Sequence, residues 1–195
     1  MIGFILLVIG CDSNDTNSQI NVITSSELTN RENTILHTTS DGSFVFDYKT
    51  DDSYDGLKVW LDKYEAGELV DDQLMMITAE LIESEGTIIL TRSRADDDSV
   101  YPLFHIGIGD EGAVSSSHSS DESLKNGKSA SMMSSQLPTE HTLDDEAVTL
   151  AIMAFKDEDS GSLSLSNGFY DDPEAHMEDV EDYHTIYLLK AQFLK

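Results

Sequence analysis

Two neighbouring stretches decide the fold: "SFVFDYK" at residues 43–49 and "LKVWLDKY" at residues 57–64. Aromatic side chains recur at every second position of the first stretch, and Leu or Val does so in the second. An alternation of period two is typical of a β-strand that buries one face. The second stretch repeats the pattern of the first, so each is predicted to be a strand.

Working outward, further β-rich runs follow at short intervals. They are "GTIILTRSR" at 86–94, "YPLFHIGI" at 101–108 and "YHTIYLLKAQF" at 183–193, and Ala66-Gly67 supplies a turn after the second strand. Several short strands separated by turn residues indicate an antiparallel sandwich. The sequence therefore predicts a mainly β protein, a single β-sandwich domain over residues 41–195, with room for one or two short helices.

Two apolar segments, residues 72–85 and 143–156, fit a helix or a strand. In the first, Leu74, Ile77 and Leu81 would share a helix face, and Gly86 would end the helix. In the second, Thr142 and Asp145 have capping-box spacing. Both segments also alternate as strands, and the surrounding β pattern favours the strand for each.

Polar composition marks two other regions. Residues 11–40 are rich in Asn, Ser, Thr and Asp, and they read as a flexible acidic tether. Residues 115–128 are dominated by serine, and they read as a long exposed loop inside the domain.

Charge excludes one class of function. The 195 residues contain 11 Lys and Arg against 38 Asp and Glu, which gives a net charge of -27. Phosphate contacts need clustered basic side chains, so we expect no nucleic-acid partner. The same charge disfavours direct adsorption to anionic headgroups.

Oxygen ligands at alternate positions raise the question of calcium. Asp51, Ser53 and Asp55, followed by Gly56, stand where a calcium loop places its first ligands and its turning glycine. An Asp-Gly hairpin turn explains the same residues without an ion. Calcium is accordingly the one cofactor considered, as a stabilising ion, and otherwise none is predicted.

Histidines offer a second metal hypothesis. His176 and His184 flank four carboxylates, but their spacing matches no short zinc motif, and a solvated acidic turn before the last strand is the favoured interpretation. His105 reads as a core or rim residue of its strand. His118 falls in the serine-rich segment, where neighbouring residues of a loop do not make a catalytic triad.

The N-terminal stretch carries the one family resemblance. Residues 2–9 are apolar except for Gly3, and the chain turns polar directly after Cys11, its only cysteine. Val8-Ile9-Gly10-Cys11 resembles the lipobox of bacterial lipoproteins. The resemblance implies that residues 1–10 are a signal peptide, that Cys11 becomes the mature N-terminus, and that its thiol carries a diacylglyceryl anchor.

These observations lead to one main hypothesis about function. We expect a lipid-anchored envelope protein on the extracytoplasmic face of the cell membrane, acting as a monomeric, non-catalytic module for binding, sensing or surface covering. Its ligand or protein partner is not indicated by the sequence. The alternatives are a metal-assisted envelope hydrolase that uses His176 and His184, and a calcium-stabilised module that uses Asp51, Ser53 and Asp55.

Overall fold

The computed structural model describes residues 19–93, 102–121, 131–156, 163–166 and 168–195. Eleven strands in this part of the chain form two sheets. The strands are β1 Val22–Ser25, β2 Ser40–Lys49, β3 Gly56–Glu65, β4 Glu68–Glu80, β5 Glu85–Ser93, β6 Leu103–Gly109, β7 Val114–Ser120, β8 Ser131–Gln136, β9 His141–Thr142, β10 Val148–Lys156 and β11 Thr185–Leu194. An α-helix, α1, spans Asn30–Thr39, and a 3-10 helix spans Glu174–Val180.

The strands are distributed over a six-stranded and a five-stranded sheet. Sheet A has the order β7-β6-β5-β2-β1-β9, and sheet B has the order β4-β3-β11-β10-β8. Neighbouring strands in the described sheets pair antiparallel. The mainly β class and the antiparallel sandwich are thus confirmed.

The main core lies between the sheets. Alternate residues of each strand point inward, so Phe46, Ile88 and Ile106 of sheet A meet Leu61 and Leu189 of sheet B, all fully buried. The alternation in the two deciding stretches is therefore the signature of these inner faces.

A second, smaller core covers the outer face of sheet B. Phe169, Val180 and Tyr183, from the segment around the 3-10 helix, pack on Ile186 and Leu188 of β11. Residues 185–189 of β11 are all buried, so this half of the strand is covered on both faces. Sheet A has no equivalent cover among the described residues, apart from α1 near β2.

The expected tether is wrong over residues 22–40. β1 pairs with both β2 and β9, and its Ile23 is fully buried. Two apolar residues suffice here because strand pairing satisfies the backbone of an otherwise polar segment. The sandwich begins at Val22 rather than at residue 41, whereas residues 11–18 lie outside the described part.

The expected serine-rich loop is wrong over residues 115–120. These residues form β7, which pairs with β6 along its whole length. Ladder hydrogen bonds come from the backbone, so serine side chains do not prevent them. The rest of the predicted loop lies outside the described residues.

Both ambiguous segments are strands. β4 occupies most of residues 72–85, and β10 occupies most of residues 143–156. The turn at Ala66-Gly67 is also confirmed, because both residues adopt positive φ, at 50° and 80°. Two such residues in succession are typical of the tight turn that joins adjacent antiparallel strands.

Candidate functional site

A groove of about 700 Å³ opens on the outer face of sheet A. The segment that carries α1 forms one wall, the hairpin between β6 and β7 forms the other, and β2, β5 and β6 supply the floor. Its lining consists of Ser26, Glu27, Leu28, Glu32, Ile35, Leu36, Val45, Asp47, Tyr48, Glu85, Gly86, Thr87, Ile89, Gly107, Gly109, Asp110, Glu111 and Val114. This volume falls in the range of small-molecule sites, roughly 300–1,000 Å³.

The helical wall is held at its start and is otherwise loosely packed. Thr29 and Glu32 form a capping box, in which the Glu32 N–H donates to Thr29 Oγ1 at 3.3 Å and the Thr29 N–H donates to Glu32 Oε2 at 2.7 Å. No residue of α1 is buried, and Ile35 is 54% exposed. Isolated helices of this length are marginal in water, so packing at the groove contributes to its stability.

Glycines line the floor of the groove. Gly107 faces outward, and a Cβ placed there would meet only the Ser115 carbonyl oxygen, at 4.0 Å. Gly86 faces inward, where a Cβ would come within 2.3 Å of the Tyr48 hydroxyl oxygen, so a side chain at that position is excluded. Bare strand backbone therefore lies open beside the apolar side chains of Val45 and Ile89.

Carboxylates surround the groove. Six of the described lining residues are acidic and none is basic. Hydrogen bonds hold three of them: the Thr29 backbone and hydroxyl donate to Glu32, the Thr87 hydroxyl donates to Asp47 at 2.9 Å, and backbone N–H groups donate to Asp110 at 2.8 Å. The bonds from Thr29 also lower the pKa of Glu32. Charged acceptors held in this way suit the binding of cations.

Two imidazoles lie on the same outer face, next to the glycine floor. His105 of β6 is directly opposite His118 of β7, and their ring centroids are 5.9 Å apart. The separate expectations for these residues, a core or rim histidine and a loop histidine, missed their pairing. The sequence does contain a signal for this pairing. Each histidine lies four residues from the end of its strand at the hairpin, His105 from Gly109 and His118 from Val114, so a hairpin with its turn between these ends places the two residues opposite each other.

The predicted calcium residues lie in the turn between β2 and β3. Ser53 donates through its backbone N–H and its hydroxyl to Asp51 Oδ1, and Asn21 Nδ2 donates to Asp51 Oδ2 at 2.7 Å. These bonds, those from Ser53 first, lower the pKa of Asp51 to about 2. The Asp55 backbone N–H donates a hydrogen bond to the Leu194 carbonyl oxygen, and the Leu81 N–H donates to the Asp55 carbonyl oxygen, both at 2.9 Å. The observed bonds are those of a turn, and calcium binding here stays a prediction.

The two histidines of the zinc hypothesis lie in different local settings. His176 is within the 3-10 helix, and His184 Nδ1 lies 2.9 Å from Thr185 Oγ1 at the start of β11. Within the described residues, no group of three or more His, Cys, Asp or Glu side chains is placed to hold a metal ion. Zinc binding by this pair also stays a prediction.

Cys11 falls outside the described residues, so the structure gives no geometry for the lipidation site. In the part that is described, no helix has the length and apolar content needed to cross a membrane.

Away from the groove, buried charges join the two sheets. Lys63 Nζ of β3 lies 2.8 Å from Asp121 Oδ2, which follows β7, and the Tyr187 hydroxyl of β11 donates to the same oxygen at 2.7 Å. Burial, and then the hydrogen bond to Asp121, raises the pKa of Tyr187 far above its ordinary value. This cluster stabilises one end of the sandwich.

A second buried pair lies on the outer face of sheet B. Lys190 Nζ is 3.1 Å from Asp62 Oδ2, beneath the 3-10 helix, whose Glu174 contacts the same nitrogen at 3.4 Å. Burial raises the pKa of Asp62 against the opposing effect of Lys190. The contact between Glu174 and Lys190 links the covering segment to the sheet.

Together the fold and the groove define a β-sandwich domain with an open, acid-rimmed site on one outer face. The chain belongs to the YgaN domain family, whose profile matches residues 22–193. That match begins at β1, in agreement with the inclusion of β1 and α1 in the folded domain. The chain has no significant match among curated proteins, and none among solved structures.

Proposed function

We propose that this protein is a lipid-anchored, non-catalytic binding module of the cell envelope, and that its groove binds basic peptide segments. The observation that carries the proposal is the groove itself, because it combines an apolar, partly bare floor with a rim of six carboxylates. An apolar floor favours burial of a ligand's side chain, and the rim favours a ligand with positive charge.

Charge distribution selects a peptide over a simple amine. The six carboxylates come from separate parts of the wall and floor: Glu27 and Glu32 on the segment that carries α1, Asp47 on β2, Glu85 on β5, where it also pairs with Lys49, and Asp110 and Glu111 on the hairpin. A monovalent amine satisfies one side of such a rim. A short segment with two or more Lys or Arg residues around an apolar side chain complements several sides at once.

The anchor rests on the sequence. Val8-Ile9-Gly10-Cys11 resembles a lipobox, and the polar residues after it would connect the lipid to the domain that starts at Val22. A net charge of -27 would repel the domain from anionic headgroups, so the groove would remain accessible on the extracytoplasmic face.

A substitution in the floor tests the groove. Gly107→Val adds a side chain where the protein leaves open space, and valine suits a strand. We expect Gly107→Val to keep the wild-type melting temperature within about 2 °C, a change of under roughly 1 kcal/mol. We also expect Gly107→Val to weaken the binding of a short peptide with Lys and Arg on both sides of a leucine. The expected loss of affinity, measured by isothermal titration calorimetry, is at least about tenfold, which corresponds to about 1.4 kcal/mol of binding free energy.

Matched controls make the result specific. Ser43→Val adds the same side chain on the outer face of β2, outside the groove lining, and should bind as wild type does. A peptide with Glu in place of Lys and Arg should not bind, and the affinity of the basic peptide should fall as the salt concentration rises. Equal affinity of wild type and Gly107→Val, or binding of the acidic peptide, would refute the proposal.

The anchor has an independent test. Cys11→Ser should move the protein from the membrane fraction to the soluble fraction, since a two-chain lipid gives firm membrane binding, and the domain should melt as before. Protein with Cys11→Ser that still resists extraction from membranes at high salt would show that Cys11 is not the anchor.

A further inference from the structure

We propose that His105 and His118 form a chelating site for a divalent first-row transition metal ion on the outer face of sheet A. The two residues are direct cross-strand partners in the pairing of β6 with β7. Directly opposite side chains on one sheet face have Cβ atoms about 4.5–5.5 Å apart. The hairpin therefore presents both imidazoles side by side without any change of the backbone.

The separation of the rings fits a shared ion. Metal–nitrogen bonds of about 2.0–2.1 Å place an imidazole centroid roughly 3.2 Å from the ion, so two rings on one ion have centroids roughly 4.5–6.4 Å apart. The observed separation is 5.9 Å, with the ring planes inclined by 38°. Small rotations of the two side chains would bring a nitrogen of each to one ion.

The surroundings admit an ion. On the side away from β7, Thr91 of β5 lies directly opposite His105. The next residues towards the turn that face the same side of the sheet are Gly107 on β6 and Ser116 on β7. These small, uncharged residues leave the rings accessible, and His118 is exposed. The strong negative charge of the chain raises the local concentration of cations.

Imidazole ligands select the class of metal. Zn²⁺, Ni²⁺ and Cu²⁺ accept imidazole nitrogen, whereas Mg²⁺ and Ca²⁺ prefer oxygen. No third His, Cys, Asp or Glu completes a site in the described part of the chain, so water or a group from a ligand would fill the remaining positions. Two ligands on a rigid sheet give a chelate, which binds more tightly than one imidazole because the second bond forms intramolecularly.

Metal titration tests this inference without any groove ligand, so its outcome is separate from that of the proposed function. Ni²⁺ and Zn²⁺ are titrated into the protein by calorimetry, with Mg²⁺ in large excess to occupy the carboxylates. We expect one site per chain in the wild type. His118→Gln, which changes an exposed side chain, should weaken that site about tenfold or more, and His105→Gln should do the same.

Control variants address the two histidines of the zinc hypothesis. His176→Gln and His184→Gln should bind as the wild type does. Nuclear magnetic resonance should show the His105 and His118 ring signals moving together as the metal is added. Absence of a one-to-one site, or affinity unchanged in His118→Gln, would overturn the inference. A site lost in His176→Gln instead would do so as well.

Discussion

Asp121→Asn is the sharpest test of what holds the two sheets together. Asp121 belongs to the sheet A side of the sandwich, and its Oδ2 atom contacts both Lys63 Nζ and the Tyr187 hydroxyl of sheet B. Asp121 and Lys63 are only 6% and 7% exposed. The substitution keeps the size of the side chain and one acceptor oxygen, replaces the other oxygen by an NH2 donor, and removes the charge.

The expected loss follows from the burial of Lys63. Removing one partner of a buried ion pair costs about 3–5 kcal/mol, because the other charge stays buried without compensation. Here Lys63 keeps Glu65, at 2.6 Å, as a partner that is half exposed. We therefore expect the lower figure, about 3 kcal/mol, which lowers the melting temperature of a domain of this size by roughly 6–12 °C.

Urea and thermal unfolding, followed by circular dichroism, measure this loss. Asp182→Asn is the matched control, because Asp182 pairs with Lys156 at 3.7 Å and is 81% exposed, and exposed pairs contribute about 0–1 kcal/mol. The triple variant Lys63→Met/Asp121→Leu/Tyr187→Phe should recover most of the stability, since it also removes the buried hydroxyl that donates to Asp121, and apolar side chains often replace a buried ion pair without loss. If the free energy of unfolding of Asp121→Asn is within about 1 kcal/mol of the wild-type value, the buried pair does not hold the two sheets together.

Three further predictions concern single groups. Nuclear magnetic resonance should show that Asp51 titrates near pH 2, and Ser53→Ala should raise the pKa of Asp51. Because the pKa of Asp51 is depressed in the folded state, its hydrogen bonds stabilise the fold above about pH 4, and this stabilisation is lost as the pH falls towards 2. Burial, and then the nearby charge of Asp110, raises the pKa of Tyr48 to about 12. The neutral Tyr48 side chain therefore stabilises the fold below about pH 10, and this stabilisation is lost as the pH rises from 10 to 12. Tyr48→Phe should reduce the dependence of the free energy of unfolding on pH between about 10 and 12. Thr29→Ala should destabilise α1 by about 1 kcal/mol and speed hydrogen exchange there; unchanged exchange would mean that the capping box is not needed.

Strand alternation predicted the sandwich because both sheets bury an inner face. The same logic worked at β4 and β10, where the local pattern also allowed a helix and the β context decided correctly. Side chains of period two, such as Met75 and Ile77 on β4, pack on or beside the main core. A pattern of this kind reports burial directly, so it transfers from sequence to structure.

Elements without a buried face escaped that logic. α1 buries no residue, so it carries no apolar stripe, although Thr29 and Glu32 have capping-box spacing that could have marked its start. β7 is serine-rich and is held through its backbone ladder with β6. Composition described both segments as unstructured because their order comes from caps and strand pairing rather than from apolar content.

Sites were harder to predict than strands, because they depend on register. The calcium hypothesis used neighbours in the chain, and Asp51 and Ser53 do interact, within a turn. The groove and the pair of His105 and His118 join residues from separate strands. Their juxtaposition depends on where the β6–β7 hairpin turns, which sequence spacing suggests only after both strands are known.

The two outer faces of the sandwich differ in a way that favours sheet A as the binding face. The chain itself covers sheet B, with Phe169, Val180 and Tyr183 on β10 and β11. On sheet A, α1 leaves Ile35 more than half exposed across the groove from Val114, which is 79% exposed. Full burial of one such side chain contributes about 1.5–3 kcal/mol, a gain still available to a ligand on this face. A basic, apolar segment would obtain it between carboxylates that its own charge neutralises, and it would at the same time give α1 the packing that the domain does not supply.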